Sequence, residues 1–359
     1  MGGSFDPSAF ARTCAIDPRV TRILPAFDVP FFQAGLAGYS DAAMRLIARR
    51  HGCPYAITEA MLDRILLAGG KGLDKADLEL IAENVPGGAE DHPIAGQIIG
   101  SDAGEMAAAA RLVADMGYDV VDVNLACPVK KIARKARGGH FLAHPEDAID
   151  LLHAVRDSLP PHIPTTVKLR RGYDDSGRSA DAFERIFNAA YEYGYSWATV
   201  HGRTVEQKYL GPSRWSFLAD LCHRYPDRVI FGSGDIFEVG DIFAMLHFTG
   251  VKAVSVARGC IGNPWIFRQA RQLIAGQPPA PPTLAEQREV LLQHYDLCLA
   301  LHGDELAGKL MRKFGIKFSR HHPDPDSVKE RFIEVESCAH WRAVIDDLYS
   351  EAGAPVGVS

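Results

Sequence analysis

Two residues with reactive or charged side chains, Lys168 and Cys127, lie within or just after apolar runs of the sequence. Lys168 lies inside the apolar run Thr165–Leu169, and an ammonium group is costly to bury unless it meets an anion. Cys127 follows a second apolar run, Val120–Leu125, and cations come soon after it in the chain. These cations are Lys130, Lys131, Arg134, Lys135 and Arg137. A thiol at a strand-to-loop junction near cations is typical of a chemically used cysteine.

Each of these features also has a structural interpretation. Lys168 could form a buried salt bridge, and Cys127 could be an ordinary buried cysteine. The basic run could be a solvated face, or it could hold the phosphates of a nucleic acid. We favour an anionic partner for Lys168, and the N1–C2 carbonyl edge of a reduced flavin is such an anion.

Eight short apolar runs alternate with amphipathic helical patterns, and continuous apolar runs are typical of parallel strands buried on both faces. The predicted strands are Val29–Gly35, Tyr55–Glu59, Ile94–Ile99, Val120–Leu125, Thr165–Leu169, Trp197–His201, Val229–Ser233 and Val251–Val256. The clearest predicted helices are Asp102–Met116 with Ser101 as N-cap, Pro145–Leu159, Ala180–Tyr193 and Val239–Phe248. Eight βα units favour an α/β fold of the (β/α)8 TIM-barrel type over an open doubly wound sheet.

Most of these predicted strands end in polar or charged residues, and a barrel brings such ends together in one cleft. The polar ends include Gln97, Asn124, Arg170, His201, Arg203, Ser233, Asp235 and Arg258. Gly232 and Gly234 after the seventh strand suit either a phosphate-binding loop or a tight turn. Arg258 could add a charged fork to a phosphate.

The composition shifts after Gln277, where four prolines within residues 278–282 predict a stiff linker. We therefore predict an N-terminal extension at 1–22, a barrel at 23–277, a helical domain at 278–350 and a flexible tail at 351–359. The net charge of −6 gives no general indication of nucleic-acid binding. Seven scattered cysteines without a C-x-x-C pair favour a reduced, cytoplasmic protein without a metal site. The sequence contains no apolar stretch long enough for a membrane helix, and we expect a monomer.

The segment Asn124–Lys131 resembles the N-x-G-C-P-x-x-K motif of the tRNA dihydrouridine synthases. The resemblance extends in order and spacing from about Phe32 to Phe267. It includes Thr58-Glu59, Gln97–Ser101, Val167–Gly172, His201–Thr204, Gly234–Ile236, Ala257–Gly259 and Gly262–Phe267. Met311–Phe314 also resembles the helical domain of the bacterial B-type enzymes.

This resemblance implies a barrel that binds FMN and a helical domain that binds tRNA. In the family, NADPH reduces the flavin, whose N5 passes hydride to C6 of a uracil, and a cysteine protonates C5. By match, Cys127 is that acid. The implied cofactor-binding residues are Gly35, Leu36, Ala37, Gln97, Lys168, His201, Ser233, Gly234, Asp235, Ala257 and Arg258. The implied substrate or RNA contacts are Asn124, Lys130, Lys131, Arg134, Arg170, Arg203, Arg312 and Lys313.

Four positions depart from the family pattern. Gly35-Leu36 stands where the family usually has Pro-Met, Ser233 replaces an Asn, and Ala126 replaces a Gly. The segment 138–142 also differs from the usual run of small residues. Two alternatives therefore stay open at this point: a flavin-dependent reductase of a small unsaturated substrate or another RNA, and a non-catalytic RNA-binding protein that kept the barrel.

Overall fold

The chain folds into a closed barrel of parallel strands followed by a cluster of helices, in a computed structural model that describes residues 5–68, 86–129, 132 and 135–350. The strands are β1 Phe31–Gln33, β2 Ala56–Ile57, β3 Met61–Leu62, β4 Ile94–Ile99, β5 Val120–Asn124, β6 Thr165–Arg170, β7 Trp197–His201, β8 Ile230–Ser233 and β9 Ala253–Val256. The main helices of the barrel are α1 Pro7–Ala11, α2 Pro18–Ile23, α3 Ala42–Arg50, α4 Asp63–Leu67, α5 Ala103–Asp115, α6 Pro145–Ser158, α7 Gly177–Glu192, α8 Trp215–Arg224, α9 Val239–Thr249 and α10 Trp265–Ile274. After residue 283 come α11 Leu284–His302, α12 Asp304–Phe318, α13 Pro325–Ile333 and α14 Cys338–Leu348.

Strand β2 closes the barrel because it pairs with both of its neighbours. Ala56 is in register with Gln33 of β1 on one side and with Ile94 of β4 on the other. The sequence did not predict strand β3. Among the described residues, β3 pairs with a later part of β4 than β2 does, so β2 and β3 together occupy one position in the barrel. The predicted eight-stranded barrel is confirmed, and the open-sheet alternative is wrong.

Aromatic side chains fill the amino-terminal end of the barrel. Phe32, Tyr55, Trp197 and Phe231 are buried together there, and Phe27, after α2, packs against them. The rings of Phe27 and Tyr55 stack with their centroids 5.0 Å apart. Val20 of α2 belongs to the same buried cluster, so the described part of the N-terminal extension packs on the barrel and closes this end, which leaves the carboxyl end for chemistry.

Two helix starts differ from the prediction. Helix α5 begins at Ala103, and its N-cap is Asp102, whose carboxylate accepts a hydrogen bond from the Glu105 N–H at 2.9 Å; the expected cap was Ser101. An aspartate is an equally good cap and adds a negative charge at the positive end of the helix. Helix α7 begins at Gly177, earlier than expected, because the Ser176 side chain caps it.

The C-terminal helices have their own apolar core and also pack on the barrel. Tyr295 of α11 and Trp341 of α14 are buried and stacked, with centroids 4.4 Å apart. At the joint, His302 Nε2 lies 3.0 Å from the carboxylate of Asp41, the N-cap of α3. Nowhere in the described ranges does a helix combine the length and the apolar character that crossing a membrane requires.

The joint between barrel and helices depends on close backbone contact at Gly262. Its φ is +64°, and an added Cβ would lie 2.6 Å from the carbonyl carbon of Lys317 in α12. Gly194 offers a matched comparison, since its φ is +86° but nothing lies within 4 Å of an added Cβ.

We expect Gly194→Ala to lower the free energy of unfolding by about 1–2 kcal/mol, the cost of the left-handed backbone alone. Gly262→Ala should cost roughly 1–3 kcal/mol more, because the methyl group also overlaps α12. Denaturant unfolding of the two variants beside the parent protein measures both values. Equal losses would show that the helices do not press on Gly262.

Candidate active site

A cleft with two connected chambers opens at the carboxyl ends of the strands. The first chamber has a volume of about 310 Å³ and the second about 200 Å³. The residues that line both are Ala34, Gly35, Leu36, Ala37, Lys168, Arg170, His201, Tyr209 and Ser255. These shared residues belong to β6, β7, β9 and the loops after β1 and β7, so most of the predicted strand ends do converge.

The first chamber is walled by the loops after β8 and β9. Ser233, Gly234, Asp235, Ala257 and Arg258 all line it, as predicted from the strand ends. Gly234 has a φ of +118°, and a Cβ there would lie 2.4 Å from Ser213 Oγ, so this position requires glycine. The result is a small concave wall with the guanidinium of Arg258 at its rim.

Asp235 connects the residues of this wall through hydrogen bonds and ion pairs. Its two carboxylate oxygens accept hydrogen bonds from Arg203 Nη2 at 2.7 and 2.8 Å, and one of them also accepts from the Ser213 N–H at 2.6 Å. Arg258 Nη2 lies 3.3 Å from the same carboxylate. Arg203 itself is buried and donates from Nε to the Gly211 carbonyl at 2.9 Å. Arg203, predicted as a substrate contact, thus lies behind the wall rather than lining either chamber.

Lys168 points into both chambers from the middle of β6. Burial, together with the positive charge of Arg170, lowers the pKa of Lys168 to about 7, and the negative charge of Asp122 partly opposes this. Within the part of the chain that the structure describes, Lys168 has no salt bridge, so the structural salt-bridge alternative finds no support. An anion in the cleft would restore the charged form of this lysine.

His201 lies beside Lys168, at the end of β7. Burial lowers its pKa well below the usual value, and the charges of Lys168 and Arg170 add to the effect, so its ring is neutral. Its Nδ1 accepts the backbone N–H of Arg203 at 3.1 Å, which places the ring proton on Nε2. The cleft therefore contains a neutral imidazole that can donate one hydrogen bond.

Cys127 lines the second chamber with Gln97, Asn124 and Pro128. Its side chain is half-buried, and burial raises the pKa of the thiol. A hydrogen bond from the Val129 backbone and the charge of Arg170 oppose this rise in pKa only in part. A protonated thiol at the cleft wall can donate a proton, whereas it is a weak nucleophile at neutral pH.

The loop that carries Cys127 is fixed on several sides. Asn124 Oδ1 accepts the backbone N–H groups of Ala126 and Cys127, at 2.9 and 3.1 Å. Arg170 Nε donates to the Ala126 carbonyl at 2.9 Å, and the Gly139 N–H donates to the Cys127 carbonyl at 3.0 Å. Arg170, predicted to contact substrate, thus lines the cleft and also braces this loop.

Gly138 belongs to the segment 138–142, which follows the basic loop and departs from the family pattern. It has a φ of +58°, and an added Cβ would lie 2.9 Å from Cys127 Cβ. The segment 138–143 forms a short 3₁₀ helix that packs on the Cys127 loop at this glycine. Its close approach explains why a small residue is needed there.

The predicted RNA contacts fall into two groups. Lys130, Lys131 and Arg134 lie outside the described residues. On α12, Arg312 is exposed, whereas the Lys313 ammonium donates to the Gly38 carbonyl and lies 4.9 Å from the Tyr39 ring centroid. Because Tyr39 lines the first chamber, Lys313 joins the helical region to the edge of the cleft.

Sequence reasoning missed several residues in and beneath the cleft, and three of them are polar groups of particular interest. Ser255 interrupts the apolar run of β9, and its buried Oγ has no hydrogen-bond partner among the described residues. Asp122 interrupts β5 in the same way as Lys168 interrupts β6, so the same signal could have identified it. Tyr209 lies in an irregular loop, and no pattern in the sequence marks it.

One family model and several curated relatives match this chain. Residues 32–348 match the model of the family described as "Dihydrouridine synthase (Dus)". A "Probable tRNA-dihydrouridine synthase" of Treponema pallidum is 32% identical over 323 residues, which is 88% of this chain and 92% of that protein. A "tRNA-dihydrouridine synthase B" of Xanthomonas campestris pv. campestris is 32% identical over 327 residues, or 90% of this chain and 94% of the relative.

Solved structures share the fold at low identity. A 6-hydroxypseudooxynicotine amine oxidase from Pseudomonas geniculata N1 superposes with a TM-score of 0.52 at 12% identity, over 77% of this chain and 53% of that one. Histamine dehydrogenase from Rhizobium sp. 4-9 gives a TM-score of 0.51 at 11% identity, over 75% and 49% of the two chains. These likenesses concern the fold alone, whereas the match to residues 32–348 extends across the barrel and the C-terminal helices, and the chain belongs to the dihydrouridine synthase family.

Proposed function

We propose that this protein reduces uridine to 5,6-dihydrouridine in tRNA, with FMN as cofactor and NADPH as reductant. The observation that carries the proposal is the placement of Lys168 and Cys127 in one chamber, on the wall formed by β6 and the end of β5. Membership of the family supports the reaction, and two curated relatives carry the tRNA-dihydrouridine synthase name.

The cleft fits a flavin mononucleotide. Lys168 faces the cavity without a bonded anion, and the buried Ser255 hydroxyl lacks a partner within the described ranges, so both groups suit a polar ring edge. Gln97 and His201 would flank the ring, with Gly35, Leu36 and Ala37 beneath it. Ser233, Gly234, Ala257 and Arg258 would hold the phosphate, while Asp235 keeps Arg258 in place. When bound, FMN supplies the hydride from its N5 to C6 of the uracil.

Cys127 would donate the proton to C5. The raised pKa keeps its thiol protonated at neutral pH, which is the form that a general acid needs. Asn124 holds the backbone of this loop, so the thiol is presented at a fixed place in the second chamber. The neutral His201 could donate a hydrogen bond to a substrate or ring carbonyl without competing as an acid.

Helices α11–α14 would form the main tRNA-binding region. A stacked base must be flipped out to reach the cleft, at a cost of a few kcal/mol. The exposed Arg312 and Lys317 on α12 could offset this cost through phosphate contacts, near the point where Lys313 meets the cleft. Lys130, Lys131 and Arg134 would contribute from the loop beside Cys127.

Cys127→Ala should retain bound flavin and NADPH-driven flavin reduction but lower dihydrouridine formation about 10²–10⁴-fold, the usual contribution of a general acid. Single-turnover assays with tRNA measure the loss. Cys222→Ala is the matched control, since Cys222 is also half-buried but lies on α8. Normal product formation by the Cys127 variant would exclude the assigned role.

The raised pKa of the Cys127 thiol should also slow its reaction with an alkylating reagent at neutral pH. We expect iodoacetamide to label Cys127 more slowly than a free cysteine peptide at pH 7, because less thiolate is present, and the rate to keep rising as the pH increases beyond the ordinary thiol range. Mass spectrometry of the Cys127 peptide measures the rate at each pH. Rapid labelling at neutral pH would mean that the thiol is ionised and unsuited to protonate C5.

Removing one exposed charge from α12 should weaken tRNA binding through the salt-dependent part of the affinity. For Arg312→Gln we expect the slope of log K against log salt to decrease by roughly one, as for a lost phosphate contact. Arg12→Gln is the control, because Arg12 is exposed next to α1, near the amino-terminal end of the barrel. Identical slopes for the two variants would place the RNA elsewhere.

A further inference from the structure

A continuous chain of hydrogen bonds runs beneath the second chamber, from the interior of the barrel to the loop of Cys127. It begins at Asp122, a carboxylate buried to 1% exposure in the middle of β5. Thr166 Oγ1 donates to Asp122 Oδ1 at 2.5 Å, and Gln97 Nε2 donates to Asp122 Oδ2 at 2.7 Å. Strands β4, β5 and β6 are thereby joined through their side chains.

The chain continues from Gln97 to the catalytic loop. Asn124 Nδ2 donates to Gln97 Oε1 at 2.7 Å. The carbonyl of the same asparagine accepts the backbone N–H groups of Ala126 and Cys127. Each donor in the series therefore points toward Asp122, and we call this series (Asp122, Gln97, Asn124 and the Cys127 N–H) the amide relay.

The two ends of the amide relay fix its direction. An amide side chain can be rotated by half a turn, which exchanges its donor and acceptor. The backbone N–H of Cys127 can only donate, and a carboxylate can only accept, so both ends demand the same orientation of Gln97 and Asn124. Without the acceptor at Asp122, the Gln97 amide would lose the partner that holds it this way round.

The charge of Asp122 is compensated locally. Burial raises its pKa, and the bonds from Thr166 and Gln97 together with the charge of Lys168 oppose the rise. The same carboxylate favours the charged form of Lys168. One buried group thus acts on both sides of the second chamber, on the lysine by its charge and on the cysteine through the two amides.

The nitrogen and the oxygen of the Gln97 amide both take part in the relay. Its nitrogen donates to Asp122 and its oxygen accepts from Asn124, while its backbone N–H donates to Thr58 Oγ1 at 3.0 Å. Gly35 also approaches this site, since an added Cβ there would lie 3.5 Å from Gln97 Oε1. These contacts are typical of a side chain that orients its neighbours.

We propose that Asp122 is a positioning residue, which fixes the direction of the amide relay and thereby the place of the Cys127 thiol in the second chamber. The catalytic consequence rests on the proposed function, in which Cys127 delivers the proton. Displacing a reacting group by about 1 Å can cost roughly 10²-fold in rate.

The test is a double-mutant cycle on the FMN-loaded protein, with the single-turnover rate of dihydrouridine formation in tRNA as readout. We expect Asp122→Ala to lower the rate about 10²-fold. Asp122→Asn should retain most of the rate, because its Oδ1 can still accept from Gln97. In the Cys127→Ala background, Asp122→Ala should cost clearly less than in the parent protein, since the relay acts through the missing thiol and only the effect on Lys168 remains. Additive losses would overturn the proposal, as would an asparagine variant no better than alanine.

Thr199→Val is the matched control. Thr199 Oγ1 is buried on β7 and has no hydrogen-bond partner among the described residues, so the variant removes a buried polar group outside the relay. We expect its rate to stay within about threefold of the parent protein, a change of well under 1 kcal/mol in barrier. Thermal unfolding of each variant identifies any that fail to fold.

Iodoacetamide labelling of Cys127 tests the relay without catalysis. Asp122→Ala should label faster than the parent protein and than Thr199→Val, because the loop is held less firmly. An unchanged labelling rate would overturn the relay whatever the activity. If the parent protein formed no dihydrouridine but the labelling difference appeared, the proposed function would fail and the positioning role of Asp122 would stand.

Discussion

The carboxyl-terminal half of the barrel depends on the placement of an acid and a base, Asp122 and Lys168, inside strands that are otherwise apolar. Either charge alone would be costly in this interior. Asp122 is stabilised by two direct donors and by the nearby ammonium, whereas among the described residues Asp122 is the acid that favours the charged form of Lys168, which otherwise faces the open cleft. The acid is therefore satisfied by the fold, and the base remains available to a ligand.

Three buried arginines stabilise the loops at this end of the barrel, again through hydrogen bonds between buried polar groups. Arg170 donates to the carbonyls of Ala126, Thr204 and Lys208, Arg171 to that of Gly202, and Arg203 to that of Gly211. Each guanidinium thus satisfies carbonyl groups of irregular backbone that would otherwise lose hydrogen bonds on burial. Loops held in this way keep the cleft walls in place. They also position Tyr209 at the mouth of the cleft, where this residue is 57% exposed.

Much of the fold could be predicted from the sequence. The eight apolar runs predict parallel strands that are covered on both faces, and eight βα units favour a barrel over an open sheet. Lys168 could be identified because a charged residue is unusual inside an apolar strand. The segment around Cys127 resembled one family closely enough to predict that Cys127 is the proton donor. The polar strand ends also met in one cleft, since parallel strands present the same ends at the same side. The roles of the individual site residues stay proposals.

Only the tertiary structure decided how the site residues are connected. Gln97 and Asp122 are 25 positions apart and Arg203 and Asp235 are 32 apart, yet each pair is joined by hydrogen bonds. The sequence shows that Arg203 is charged and near a strand end, but its burial behind the wall depends on a carboxylate supplied by the next strand. The direction of the amide relay likewise follows from which atoms meet across strands. A linear pattern determines which face a residue occupies, whereas the partner of a buried polar atom is determined by distances between elements that the pattern does not contain.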